Sequence, residues 1–381
     1  MKIVSIEPTP SPNVMKCNLD ESLPTGINYN LNQEKSMEAP LYLKKLLKIE
    51  GVTSLFQVLD FISIERHPKA DWQKILHEVR ETLGEATSTT SNSAVQSIDD
   101  KSNQEGFGEV EVWIQKLKEI PMQIKLVKNG EEFRFGLPDR FKEAVMAAQV
   151  VTSNLVFERK WEKQSPRYGE VQEVATQVEE EISAAYHEER LQQLVHQMLH
   201  ATQGSTKQVV EAKDVVEALK HSDWKHRFAI FEQFEPTLET IEVLEIALQD
   251  SKTAIRRQAV VYLGYLESKE ALPYLYEALQ DHSAVVRRTA GDTISDLGFP
   301  EAIPAMCKVL QDQNKLVRWR AARFLYEVGD DQAIPALKEA IDDPEFEVKM
   351  QVQMALERIE RGEEASGTVW QQMTRRMKEK E

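Results

Sequence analysis

Cysteine is nearly absent. The 381 residues hold two, Cys17 and Cys307, far apart and outside any Cys-x-x-Cys pair. That excludes a disulfide framework, falls short of the thiolates an iron–sulfur cluster needs, and points to a reducing compartment. Positive charge is also short: 47 Lys and Arg face 63 Asp and Glu, for a net charge of −16. Free nucleic acid and anionic membranes are therefore disfavoured as partners. No apolar run reaches the length of a membrane span, and Met1 to Pro8 lacks the apolar core of a signal peptide. The expectation is a soluble, cytoplasmic protein without membrane insertion. Catalytic signatures are missing too. There is no His-Glu-x-x-His, no Gly-rich phosphate loop and no Gly-x-Ser-x-Gly; His77-Glu78 and His187-Glu188 stand alone. The chain reads as no enzyme, with no cofactor and no metal site.

What the chain does have is repetition. Leu248, Leu279, Leu310 and Ile341 are spaced 31 apart, as are Asp250, Asp281, Asp312 and Asp343, and Arg256, Arg287, Arg318 and Lys349. Ala259, Ala290 and Ala321 keep the same register, and so do Pro273, Pro304 and Pro335. A fixed period of this size means units that bury their apolar faces only by stacking on one another. Each unit reads as two helices. Val286, Ala290, Ile294 and Leu297 recur at helical spacing in a first helix, and Gly298 and Gly329 read as left-handed helix stops. Ala-Ile-Pro or Ala-Leu-Pro opens the second helix, where proline's missing N–H costs nothing. The spacing predicts an all-α array over 218–360, with Asp223 to Phe228 as an imperfect first unit and Trp370 to Lys380 as a frayed cap in 361–381. These motifs resemble HEAT-like repeats of the short kind associated with phycobilin lyases.

The first 84 residues read as an α+β unit. Lys2 to Ile6 and Val14 to Leu19 are strands around a stiff proline turn, and Ala39 to Ile49 is a helix. Val52 to Val58 and Asp60 to Glu65 form a hairpin, and Trp72 to Leu83 is an amphipathic helix. The run Glu7-Pro8-Thr9-Pro10-Ser11-Pro12-Asn13, then Gly51 to Phe56, Asp60-Phe61 and Asp71-Trp72, resembles the N-terminal domain of Nfu-type iron–sulfur scaffold proteins. That resemblance implies docking to cluster-assembly proteins; in that family the cluster sits on a separate domain with a Cys-x-x-Cys pair.

Residues 85–106, almost free of apolar side chains, read as a disordered linker. Residues 107–165 read as a second small α+β unit: a helix over Glu109 to Ile120, a hairpin from Met122 to Phe135 around Asn129-Gly130, a helix over Pro138 to Val151 and a strand over Asn154 to Arg159. Its order weakly echoes Ala39 to Leu83. Residues 166–217 read as an acidic helical connector.

Two arginine columns are the candidate functional feature. Asp250, Asp281 and Asp312 precede Arg256, Arg287 and Arg318 by six residues, so these pairs are expected to tie the turns of adjacent repeats into a structural ladder. Arg257, Arg288 and Arg320 are less regular. They are expected to be exposed and to hold an acidic protein segment or phosphate groups. An Nfu-like domain joined to HEAT-like repeats resembles the conserved virulence factor C family of Firmicutes, whose name implies a bacterial cytoplasmic factor affecting virulence-gene expression. The expected function is a protein-interaction scaffold or adaptor. The alternatives are an accessory factor that docks onto iron–sulfur assembly proteins, and a lyase-type enzyme built on HEAT repeats.

Overall fold

The computed structural model describes residues 2–9, 11, 13–24, 27–32, 39–67, 70–84, 109–128, 130–151, 158–199 and 210–363. The expected linker, the expected cap and Pro10 therefore lie wholly or almost wholly outside the described residues. The chain divides into two compact units. One holds residues 1–110 with 127–132 and 168–170; the other holds 111–126, 133–167 and everything from 171.

In the first unit β1 (Ile3–Pro8), β2 (Val14–Leu19), β3 (Asn28–Asn32), β4 (Val52–Val58) and β5 (Phe61–Arg66) form an antiparallel sheet in the order β1-β2-β5-β4-β3. Strand β3 went unread in the sequence because, although Tyr29 and Leu31 alternate with Asn28, Asn30 and Asn32, it is short and asparagine is a poor strand former. Helix α1 (Leu41–Leu47) packs on β4 and on α2 (Trp72–Leu83), whose Asp71 cap accepts a bond from the Gln73 N–H at 2.8 Å. Of the Nfu-like motif, Glu7 and Pro8 carry backbone pairing to Lys16 and Met15. Thr9 Oγ1 donates to the Val14 carbonyl at 2.9 Å, which closes the proline turn. Asn13 is buried, and its carbonyl accepts from the Arg66 N–H at 2.9 Å. Asp60 bends the β4–β5 turn, its carbonyl accepting from Leu19 N–H at 2.7 Å, and Phe61 pairs with Phe56 at 6.4 Å. Gly51 sits at φ +92° where a Cβ would meet the Cβ of Ala70 at 2.4 Å, so only glycine fits.

A second sheet, β8-β7-β6-β9, is built from β6 (Glu109–Leu117), β7 (Ile120–Lys128), β8 (Glu131–Gly136) and β9 (Arg159–Tyr168). Strand β6 replaces the expected helix. Val110, Trp113, Ile114 and Leu117 satisfy helical spacing, but Val110, Val112 and Ile114 also alternate. Their β-branched side chains settle the ambiguity for a strand, buried on alternate residues. The strand expected at Asn154 to Arg159 begins only at Arg159, and residues 152–157 lie outside the described set. The order strand, hairpin, helix removes the echo of the first unit. Helix α3 (Asp139–Ala148) follows β8, and the acidic connector splits into α4 (Val171–Ala185) and α5 (Glu188–Leu199).

The all-α array follows. Helix α6 (Ala212–Ala218) leads to α7 (Trp224–Phe231) and α8 (Ile241–Leu248). Then come three helix pairs: α9 (Thr253–Tyr265) with α10 (Leu272–Ala278), α11 (Ala284–Leu297) with α12 (Ile303–Val309), and α13 (Lys315–Val328) with α14 (Ile334–Glu339). Helix α15 (Phe346–Glu360) ends the array. A 3-10 turn precedes each proline-bearing second helix. Gly298 is left-handed at φ 64° as expected. Gly329 is not; it leaves the helix extended, and a Cβ there would meet the Leu325 carbonyl oxygen at 2.4 Å. The Gly329 carbonyl accepts instead from Arg358, a cation on the end of the α13 dipole. One apolar layer runs through the array, with Ile255, Leu263, Val286, Ile294, Val317 and Leu325 almost wholly buried.

Candidate functional site

The first arginine column forms a ladder between repeats. Arg256 donates from Nε and Nη2 to both carboxylate oxygens of Asp281, at 2.6 and 3.0 Å. Arg287 does the same to Asp312 and Arg318 to Asp343. Each of these arginines turns Nη1 back onto the backbone carbonyl six residues upstream, Asp250, Asp281 or Asp312, at 2.8–2.9 Å. Each carboxylate also accepts a backbone N–H from two residues on, as Asp281 does from Ser283 at 2.7 Å. So the arginine six residues after an aspartate takes its carbonyl, while the carboxylate goes to the arginine 25 residues before it. Arg227 and Asp250 start the ladder, a rung the sequence reading missed; the signal was Asp223 to Phe228 in repeat register.

The second column departs from expectation. Arg257 and Arg288 are buried rather than exposed, at 7% and 8%, and Arg320 is half-buried with Nε 2.5 Å from Asp292. For Arg257 the partner comes from α4, which packs against α7 and brings Glu181 to the array. Glu181 accepts both Nη groups of Arg167 (3.2 and 2.6 Å) and Nη2 of Arg257 (3.3 Å). Burial raises the Glu181 carboxyl, but the Arg167 and Arg257 charges outweigh it and hold the group below the usual carboxylate range. Burial, with repulsion from Arg167 and Arg288, holds Arg257 down to about 10.

Arg167, Glu181 and Arg257 line a cleft of about 460 Å³ together with other residues of β6, β9, α4, α7 and α9. Val112, Ile114, Val178, Ile182 and Val261 give it an apolar wall. Lys116 also lines it and reaches Glu162 at 2.7 Å. Arg190 bonds Glu232 at 2.7 Å and lies over the Tyr186 ring, and the Tyr262 hydroxyl donates to the Glu232 carbonyl at 2.8 Å. Burial raises both phenols above their ordinary value, so they are neutral donors at physiological pH. Glu181, Arg167 and Lys116 are functional candidates that the sequence reading missed. Only a repeat-free, acidic helix announced the first, and no motif announced the others.

Cys17 is wholly buried in β2, and burial pushes its thiol up to about 12. Iodoacetamide at pH 8 on the folded protein should therefore leave Cys17 unmodified until denaturant is added. Mass spectrometry of the Cys17 peptide checks this, and labelling in the native state at the rate of a free thiol would contradict it. Among the described residues no group of His, Cys, Asp and Glu is arranged to hold a metal ion. Among those same residues no helix is long and apolar enough to cross a membrane.

An Nfu-like α+β domain followed by a HEAT-repeat array defines a modular repeat protein, and the comparisons agree. The family model for the scaffold protein Nfu/NifU N terminal matches residues 4–90, the model for HEAT repeats matches 240–306 and 280–357, and one described as virulence factor matches 115–195. Conserved virulence factor C of Staphylococcus aureus (strain USA300) is 49% identical over 380 residues, covering 99% of this chain and all of its own. The uncharacterized protein YpgR of Bacillus subtilis is 55% identical over 384 residues and covers both chains fully. The chain belongs to the conserved virulence factor C family. Among solved structures, protein SAV1430 of Staphylococcus aureus is 36% identical over 22% of this chain and 98% of its own, with a TM-score of 0.21.

Proposed function

We propose that this protein is a non-enzymatic, cytoplasmic adaptor whose HEAT-repeat array binds another protein while the Nfu-like domain supplies a second contact. The supporting observation is the ladder. Four bidentate Arg–Asp rungs from Arg227 to Asp343 hold successive helix pairs in one register, so their outer side chains form a preorganised surface that loses little freedom on binding. The second reading, docking onto iron–sulfur assembly proteins, is favoured by the Nfu/NifU N-terminal match over 4–90. With Cys17 sealed in the sheet, that reading concerns docking rather than holding a cluster. Capture from a Firmicutes lysate with the full chain, followed by reconstitution from purified components, tests both. One protein binding saturably in reconstitution is the expected result, and cluster-assembly proteins in that role would select the second reading. Iron, zinc or a covalently held chromophore copurifying in stoichiometric amount would overturn the non-enzymatic adaptor.

A further inference from the structure

We propose that the cleft bounded by β6, β9, α4 and α9 binds a small organic anion, a phosphate or carboxylate head on an aromatic or aliphatic body. This does not depend on the adaptor reading. Two guanidiniums, Arg167 and Arg257, converge on the single carboxylate of Glu181. Arg167 spends both Nη groups on it, at 3.2 and 2.6 Å. Arg257 spends only Nη2, at the long distance of 3.3 Å, and its Nε–H has no acceptor although the side chain is 9% exposed. A buried guanidinium with one unmet donor beside a second cation is a costly arrangement. Arg288 adds to the repulsion on Arg257. A negatively charged head entering from the cleft relieves it, and guanidinium geometry suits phosphate and carboxylate alike.

The rest of the cleft sets the other requirements. Its volume, about 460 Å³, is that of a small-molecule site, and its place where one layer meets another is typical of such sites. Val112, Ile114, Val178, Ile182 and Val261, with the rings of Tyr186, Tyr262 and Tyr265, line part of it and offer an apolar body its contacts. Lys116 also lines the cleft, 16% exposed in its side chain, and its ion-pair partner Glu162 is 46% exposed. With Glu162 half in water, a ligand oxygen can take its place. Walls on two sides favour a compact molecule over a polypeptide segment.

The test uses the full chain and three probes at matched ionic strength: phenyl phosphate, benzoate and inorganic phosphate, followed by calorimetric titration and thermal unfolding. Phenyl phosphate or benzoate should bind saturably with Kd below about 1 mM and raise the unfolding midpoint, and whichever binds more tightly identifies the head group. Inorganic phosphate, lacking the body, should bind at least roughly tenfold more weakly. Arg257→Met should weaken binding roughly tenfold or more, in line with a lost charge-assisted bond. If that variant fails to fold, Lys116→Gln decides, with an expected weakening of roughly threefold. No saturable binding by either organic probe would overturn the proposal. So would binding that neither variant changes, or inorganic phosphate binding as tightly as both.

Discussion

Glu181→Ala should destabilise the protein by about 3–5 kcal/mol, the cost of removing one member of a buried ionic group. Among the described residues this carboxylate bonds both Arg167 and Arg257. Without it two guanidiniums face each other under the surface, with Arg288 adding repulsion. Removing Arg257 has a different outcome. Arg257→Met leaves the two-point Arg167 pair intact and takes away a charge whose burial already opposes folding, so it should change stability by less than about 1 kcal/mol. Denaturant unfolding of both variants checks the asymmetry, and equal losses would show that Glu181 is not the hub. The acid limb follows from the same geometry. The folded carboxyl titrates below its unfolded value of about 4.3, so its stabilisation is complete above that pH and lost as pH falls through the folded value. Glu181→Gln should therefore flatten the decline in stability below pH of about 4.

The repeat part was legible because stacking imposes a period. A residue that meets its equivalent in the next unit must recur at a fixed interval, so Arg256, Arg287 and Arg318 declared themselves, as did the buried alanines at 259, 290 and 321. The Nfu-like unit was legible through its proline turn and the Trp72 helix. The middle was not, because β6 satisfies two periods at once, and in the first unit β3 went unread because it is short and rich in asparagine, a poor strand former. The cleft was invisible for a related reason. Arg257 belongs to the array, but the carboxylate that meets it, Glu181, comes from α4, 76 residues away in sequence. Periodicity reports what a repeat does to its neighbours and is silent about what a different layer lays across it.

Asp281→Ala is expected to cost about 3 kcal/mol, at the lower end for a broken buried pair because the ladder runs close beneath the surface. Arg256, 3% exposed in its side chain, would lose both carboxylate bonds and keep only the Asp250 and Ser251 carbonyls and the His282 ring. The Ser283 N–H at the start of α11 would lose its acceptor as well. In a stacked array such damage acts on one interface rather than on the whole chain. Hydrogen exchange should therefore accelerate first in α9 and α11, while amides of the first unit keep their protection. Uniform acceleration through both units would contradict the ladder as the local tie. The double change Arg256→Met with Asp281→Leu should recover much of the loss, since an apolar pair leaves no charge stranded. The Ser283 N–H stays uncapped, so recovery should stop short of the wild type by about 1 kcal/mol. Acid should mimic the single variant. Burial raises the Asp281 carboxyl, but the bonds from Arg256 and Ser283 hold it below its ordinary value. The rung is thus complete above pH of about 4 and is lost as pH falls through the lower, folded value.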